Sequence, residues 1–363
     1  MDELFGAARV TGAMLRFEAA LALGLGDAGV APRDEVEAVA EACAPIEDPE
    51  ALLATTWENG TPLLALTGMI KSRLGSDEER RWVHHGATTQ DAIDTAHALL
   101  SREALDILDG GLVAVASAMM PLVEEHRDRA QMARTFLQDA RPTTFGSRVA
   151  GWLHPLIGQI EALRRSRTGL TLQLGGPVGD LSDYGPAGSA VVKAVAARLN
   201  LAAPSISWHT DRSRVATLVN AVTAPVGTLA KMAMDVTLLA QSSIGEITTR
   251  PGGSSSMPHK QNPIDAVRLL AAADICRGAA TMITGARPHE LDRALGSWHV
   301  EWVALPTVFQ TAAAAIEAAD SLLGSIEVDA HAMSLHADAG VPDIDPALID
   351  SVLDDYSRVM GPG

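Results

Sequence analysis

The stretch "DAIDTAHALLSREALDILDGGLVAVASAMMPLVEEH", residues 91–126, decides how this chain is read. Its apolar positions Leu105, Leu108, Leu112, Val115, Met119 and Leu122 step by 3, 4, 3, 4 and 3. That is the seam of one long helix. At the helical rise per residue it predicts a rod of about 50 Å, with Pro121 bending its last part.

Outward from this segment the same period recurs. A second long helix is expected from Thr144 to about Leu172, with Phe145, Val149, Trp152, Leu156, Ile160 and Leu163 on its face. A third runs from about Arg212 to Ile244, marked by Val215, Leu218, Val222, Val226, Leu229, Met232, Val236 and Leu239, with a bend at Pro225. A fourth spans Pro263 to about Thr284, and a fifth Trp298 to Leu323. Before them, residues 1–90 read as shorter helical pieces broken by loops. Among these are "MLRFEAALALGLG" and a helix starting near Pro32. No convincing alternation of Val, Ile and Thr marks a strand. The expectation is an all-α fold, a bundle of unusually long helices, with an N-terminal region 1–90, a central bundle 91–325 and a short remainder 326–363. Apolar seams of this length are buried against other helices, often those of other subunits.

The bulk numbers narrow the function. The 363 residues carry a formal net charge of −17. That excess argues against nucleic acid, which needs a basic face, and against an anionic membrane surface. No run of eighteen uncharged apolar residues is present, so no membrane span is expected. The N-terminal "MDELFGAARV" lacks a secretory pattern. Cys43 and Cys276 make neither a disulfide framework nor a metal motif and read as core thiols of a cytoplasmic protein.

Four stretches interrupt or cap the long helices. "VHHGATTQDAIDT", 83–95, places Thr88 and Thr89 at a helix start, where free N–H groups and the dipole attract anions. A plain N-cap explains Thr-Thr-Gln-Asp but not His84 beside His85 and a glycine. "ARTFLQDARPTTFG", 133–146, reads as a capped loop, with Pro142 at a helix boundary. "SWHTDRSR", 207–214, sets Arg212 and Arg214 against a helix dipole, which implies a local anion or an acidic neighbour such as Asp211. "PGGSSSMPHKQNP", 251–263, is a Gly/Ser loop ending in Lys260 and Asn262 against a proline that opens a helix. It lacks the Gly-Lys-Ser/Thr ending of a phosphate loop, and the histidines show no metal spacing.

Residues 253–263, Gly-Ser-Ser-Ser-Met-Pro-His-Lys-Gln-Asn-Pro, resemble the GSSxMPxKxNP signature of the fumarase/aspartase superfamily. The stretches at 83–95 and 133–146 resemble its first and second shared blocks, in the expected order. Adenylosuccinate lyases of this superfamily carry a histidine after the Arg-Thr of the second block; here that position is Phe136. A bulky apolar residue there, together with "GATTQDAIDT", the "WHT" block and a late "GSWHVEWVALP" at 296–306, resembles the 3-carboxy-cis,cis-muconate cycloisomerase branch. The resemblance implies a third helical domain after the bundle. Only about forty residues follow Leu323, including "HADAGVPDIDP", so a reduced C-terminal domain is expected.

The implied reaction is anti addition or elimination beside a carboxylate that is held as an aci-carboxylate. In the cycloisomerase direction a substrate carboxylate adds to a conjugated double bond, and a proton is delivered to carbon, giving 4-carboxymuconolactone. The resemblance implies that Ser254 exchanges that proton and that Lys260 and Asn262 bind carboxylate. Thr88, Thr89 and Gln138 are the neutral donors, and His84, His209 and Arg212 the candidates for the remaining carboxylates. It implies a small polycarboxylate substrate, no metal, nucleotide or redox cofactor, and a homotetramer whose sites are shared between subunits. Two other readings stand beside it: a lyase of the same fold that eliminates ammonia, an amine or another leaving group from a succinyl compound, and a non-catalytic scaffold. Intact Ser254, Lys260 and Asn262 favour an enzyme.

Overall fold

The computed structural model describes residues 1–253, 256–257, 260–286, 288–337, 342 and 344–361. The N-terminal helices are α1 (Ala7–Asp27), α2 (Arg33–Ala42), α3 (Pro49–Ala54), α4 (Thr56–Asn59), α5 (Leu63–Ser72) and α6 (Asp77–Arg80). The long helix α7 (Thr89–Glu125) follows, then a hairpin of β1 (Ala130–Thr135) and β2 (Gln138–Thr144). Next come α8 (Phe145–Thr168), α9 (Gly188–Leu199) and α10 (Ser213–Leu239). Three two-residue strands, β3 (Ile247–Thr248), β4 (Pro251–Gly252) and β5 (Asn262–Pro263), lead to α11 (Ile264–Thr284) and α12 (Ser297–Leu323). β6 (Glu327–Val328), α13 (Ala330–His336) and α14 (Pro346–Met360) complete the described chain.

The five long helices lie where the 3.6-residue period put them, within a few residues. α7, α8, α10 and α12 run unbroken through Pro121, Pro155, Pro225 and Pro306. Every residue expected on the faces of α8 and α10 is buried. In α7 the seam holds from Leu105 to Met119, and at the end Val123 is buried in place of half-buried Leu122.

The chain forms two compact units that do not follow chain order. The first is Met1–Leu105, Ser166–Ala216 and Ala286–Glu301; the second is Asp106–Arg165, Thr217–Gly285 and Trp302–Gly363. Four long helices contribute residues to both. Phe17, Leu21, Leu66, Ile70 and Leu99 are buried in the first unit, and Phe145, Trp152, Leu229, Met232 and Phe309 in the second. α7 and α10 are long and apolar enough to cross a bilayer by length and composition. In this fold they supply core side chains to their units, and the first turns of α7 also bury Gln90, Asp91 and Asp94.

One expectation is corrected. Residues 130–144 are not a loop but an antiparallel hairpin, with Thr135 opposite Gln138 and Met132 opposite Pro142. Neither strand alternates β-branched with polar residues, and the Thr143-Thr144 pair alone did not announce it. A tertiary contact holds it: buried Glu246 accepts hydrogen bonds from Gln131 (2.8 Å) and Arg134 (2.7 Å). The helix expected from Thr144 begins at Phe145, three residues after Pro142.

Candidate active site

In the first unit, the turn before α7 is set by glycine. Gly86 has φ +66, and a Cβ there would lie 2.4 Å from the Tyr184 ring, so only glycine fits. The two neighbouring histidines part ways. His85 packs edge-on to Trp82, ring centroids 4.9 Å apart, and its carbonyl accepts the Tyr184 hydroxyl. His84 adopts φ 57 and places Nδ1 2.6 Å from Oε1 of Glu18, which projects from α1. Burial alone would lower the His84 pKa. The charge and hydrogen bond of Glu18, with the charge of Asp91, outweigh that and hold it above the ordinary value.

Thr88 and Thr89 are half-buried at the start of α7, where backbone donors accumulate. Asp91 serves as a hub rather than only a first-turn carboxylate. It accepts from the amides of Thr88, Gly175 and Gly176, from Gln173 Nε2 and from His209 Nε2, the last at 2.7 Å. The other nitrogen of His209, Nδ1, lies 3.0 Å from Ser207 Oγ. Both ring nitrogens of His209 are therefore engaged inside the chain.

Arg212 is also taken up internally. Its guanidinium forks onto Asp94 at 2.8 and 3.1 Å, while Nε donates to Glu301 at 3.0 Å. Trp298 Nε1 and Gln90 Nε2 also donate to Asp94, and the guanidinium stacks on Trp208. Burial opposes ionisation of Asp94, but Arg212 holds its pKa below the usual carboxylate range. Glu301 goes the other way: burial raises it more than Arg212 lowers it. His97 in this cluster is pushed down to about 4, chiefly by burial and with Arg212 adding to it, so it is neutral at physiological pH. The anion that the 207–214 stretch demanded is thus Asp94 with Glu301, and not Asp211, whose Oδ1 caps Ser213 N. Arg214 donates to Thr171.

The second unit holds Gln138, Lys260 and Asn262. Gln138 opens β2 at the hairpin end, exposed, next to a turn formed by Phe136 and Leu137. Both turn residues have positive φ, 51 and 62, and Phe136 is fully exposed. The signature loop is closed at its base by β4 and β5, with Gly252 opposite Asn262. Asn262 Nδ2 reaches Gly253 O at 3.4 Å, Lys260 N donates to Met257 O, and the Lys260 side chain is exposed. Ser254 lies outside the described residues. No group of three or more His, Cys, Asp or Glu side chains among the described residues could hold a metal ion.

Sequence reasoning named His84, His209 and Arg212 but missed their partners Glu18, Asp91, Asp94 and Glu301. A charged residue within an apolar helical face is the signal that could have found Glu18: it lies between Phe17 and Leu21, both fully buried.

A family model described as Lyase matches residues 2–277, and the chain belongs to that family, within the fumarase/aspartase superfamily. More particularly, it is 39% identical over 329 residues to a 3-carboxy-cis,cis-muconate cycloisomerase of Pseudomonas aeruginosa, covering 88% of this chain and 72% of that protein. The crystal structure of the 3-carboxy-cis,cis-muconate lactonizing enzyme from Pseudomonas putida matches with a TM-score of 0.85 at 36% identity, over 93% of this chain and 77% of the other. A nitrosuccinate lyase of Streptomyces davaonensis is 32% identical, over 90% of this chain and 72% of that protein.

Proposed function

We propose that this protein is an intramolecular lyase that interconverts 3-carboxy-cis,cis-muconate and 4-carboxymuconolactone. The observation that carries the reading is the likeness to cycloisomerases across nine-tenths of the chain, in sequence and in fold. Phe136 at the hairpin tip supports it over an adenylosuccinate lyase, because a phenyl ring cannot serve as the acid that a histidine provides at this place in those enzymes.

In this reading a substrate carboxylate adds to its own conjugated double bond, a C–O bond forms, and the adjacent carboxylate becomes an aci-carboxylate. Ser254 then delivers the proton to carbon, and the carboxylate is restored. Lys260 and Asn262 neutralise and orient the carboxylates, and Thr88, Thr89 and Gln138 supply neutral donors. Preorganised donors of this kind lower the barrier because they need no rearrangement as charge develops. A serine hydroxyl exchanges protons with carbon only in a closed, dry site with cations nearby. His84 binds a further carboxylate. His209 and Arg212 act from behind, fixing the starts of α7 and α10 through Asp91 and Asp94. α11 leaves Val267, Ile275 and Met282 exposed along one face. That unpartnered apolar face supports a homotetramer, with sites completed by neighbouring copies. The chemistry requires no metal, nucleotide or redox cofactor.

The test is turnover of purified protein on 3-carboxy-cis,cis-muconate, followed as lactone formation, beside fumarate, adenylosuccinate, argininosuccinate and nitrosuccinate. Lactonisation alone is expected. Turnover of a succinyl compound with none of the muconate overturns the reading in favour of an elimination lyase.

A further inference from the structure

Glu18 sits in the middle of α1, with 1% of its side chain exposed. Its Oε1 meets His84 Nδ1 at 2.6 Å, and its Oε2 has no hydrogen-bond partner among the described residues. A buried carboxylate with a single partner is costly unless that partner carries the opposite charge.

No other charged group hydrogen-bonds Glu18 among the described residues. Lys71 on α5 is near enough to act on His84, and it opposes the imidazolium; Asp91 on α7 favours it. Cys43, after α2, feels Glu18 and is pushed up to about 12, mainly by burial, so its thiol stays neutral. The Tyr184 hydroxyl is also raised, by burial first and then by Asp91 and Glu18, and stays protonated. Among the described residues, the charges that act on His84 are the carboxylates of Glu18 and Asp91 and the ammonium of Lys71, while Arg73 acts on Cys43; the imidazolium is the charge in direct contact with Glu18.

The geometry leaves one end of that imidazolium available. Nδ1 is bound to Glu18, so Nε2 lies on the far side of the ring. No hydrogen bond to Nε2 is present among the described residues, and the side chain is 19% exposed. The backbone at His84 is in the left-handed region, φ 57, which a non-glycine residue occupies only when its surroundings impose it. Two residues on, Gly86 turns the chain toward Thr88 and the first free amides of α7.

We propose that Glu18 is a positioning residue for the reaction, holding His84 as an imidazolium whose Nε2–H is presented to a carboxylate of the substrate. This rests on the cycloisomerase reading for the identity of the substrate, but the pair itself does not. The sign follows from a raised histidine pKa. The cation, and the carboxylate binding it supports, is present below the His84 midpoint and lost as pH rises through it.

The experiment has two arms on the full-length protein. In the first, ¹⁵N-histidine NMR without substrate follows His84, identified by its loss in His84→Gln, from about pH 6 to about pH 9. Wild type is expected to titrate above the ordinary histidine value, and Glu18→Gln to titrate at least about one unit lower. In the second, calorimetry follows binding of tricarballylate, a tricarboxylate that cannot lactonise. At about pH 7.5 Glu18→Gln is expected to bind several-fold more weakly, up to about tenfold for a one-unit shift. On the muconate substrate it should raise KM several-fold, up to about tenfold, and change kcat much less, and Glu18→Asp should recover part of the loss. An unchanged His84 midpoint in Glu18→Gln overturns the proposal, as does a wild-type midpoint at or below the ordinary value. The wild-type titration still tests the proposal if Glu18→Gln fails to fold, because a midpoint at or below the ordinary value overturns it. A wild type that shows the Glu18-dependent titration and binds tricarballylate, yet lactonises nothing, overturns the assigned reaction and supports the pair.

Discussion

Two residues carry the sharpest expectations at the scale of single side chains. Ser254→Ala should reduce lactonisation by about 10²–10⁴-fold, the contribution of a positioned proton transfer, with little change in melting temperature. Turnover of Ser254→Ala, Ser255→Ala and Ser256→Ala side by side checks this, and near-normal activity in folded Ser254→Ala removes the serine from its role. Arg212→Met strands Asp94 and Glu301, both buried, and should cost about 3–5 kcal/mol. The pH dependence has a definite sign. Asp94 is depressed in the folded state, so its stabilisation is present above the unfolded value of about 3.9 and fades as pH falls through its lower folded value. Glu301 is raised and works in the opposite direction. Urea unfolding of wild type and Arg212→Met at neutral pH and near about pH 4 should show the gap closing in acid, as the stranded carboxylates take up protons. A gap independent of pH would show that lost packing on Trp208, and not lost charge, is the larger effect.

Among the elements, the β1–β2 hairpin departs most from local rules. Two-residue hairpin turns with positive φ favour Asn-Gly, yet Phe136 and Leu137 occupy this one, both exposed. Bulky residues in the left-handed region cost roughly 1–2 kcal/mol each. Leu137→Gly should therefore stabilise the chain by up to about 1 kcal/mol in urea unfolding, once the extra freedom of glycine in the unfolded state is set against the relief. Unchanged or reduced stability would mean that the apolar tip is packed against another copy in solution.

For the molecule as a whole, the exposed apolar side chains raise the question of assembly. Val267, Ile275 and Met282 lie on one face of α11 at helical spacing, and Met234 and Val303 are exposed on α10 and α12. Burying such surface yields roughly 25 cal/mol per Å². Light scattering at micromolar concentration should give a tetramer, and Ile275→Glu should lower the mass and abolish lactonisation together. A wild-type monomer that retains full turnover would defeat the shared-site reading.

The sequence by itself determined the helical class and the placement of the long helices. Those depend on a 3.6-residue apolar period sustained over twenty or more residues, and that period is a local property. It also determined the family, because the Gly253–Pro263 signature and the blocks around Thr88 and Gln138 are contiguous in the chain. Only the tertiary structure decided the rest. The hairpin at 130–144 lacks strand propensity and is held by Glu246, more than a hundred residues away in the chain. Asp91 meets His209 across 118 positions, Asp94 meets Arg212 across 118, and Glu18 meets His84 across 66. A buried charge takes its meaning from the group that neutralises it. In a fold of long helices that group is brought alongside by packing, and nothing in the local sequence records which one it will be.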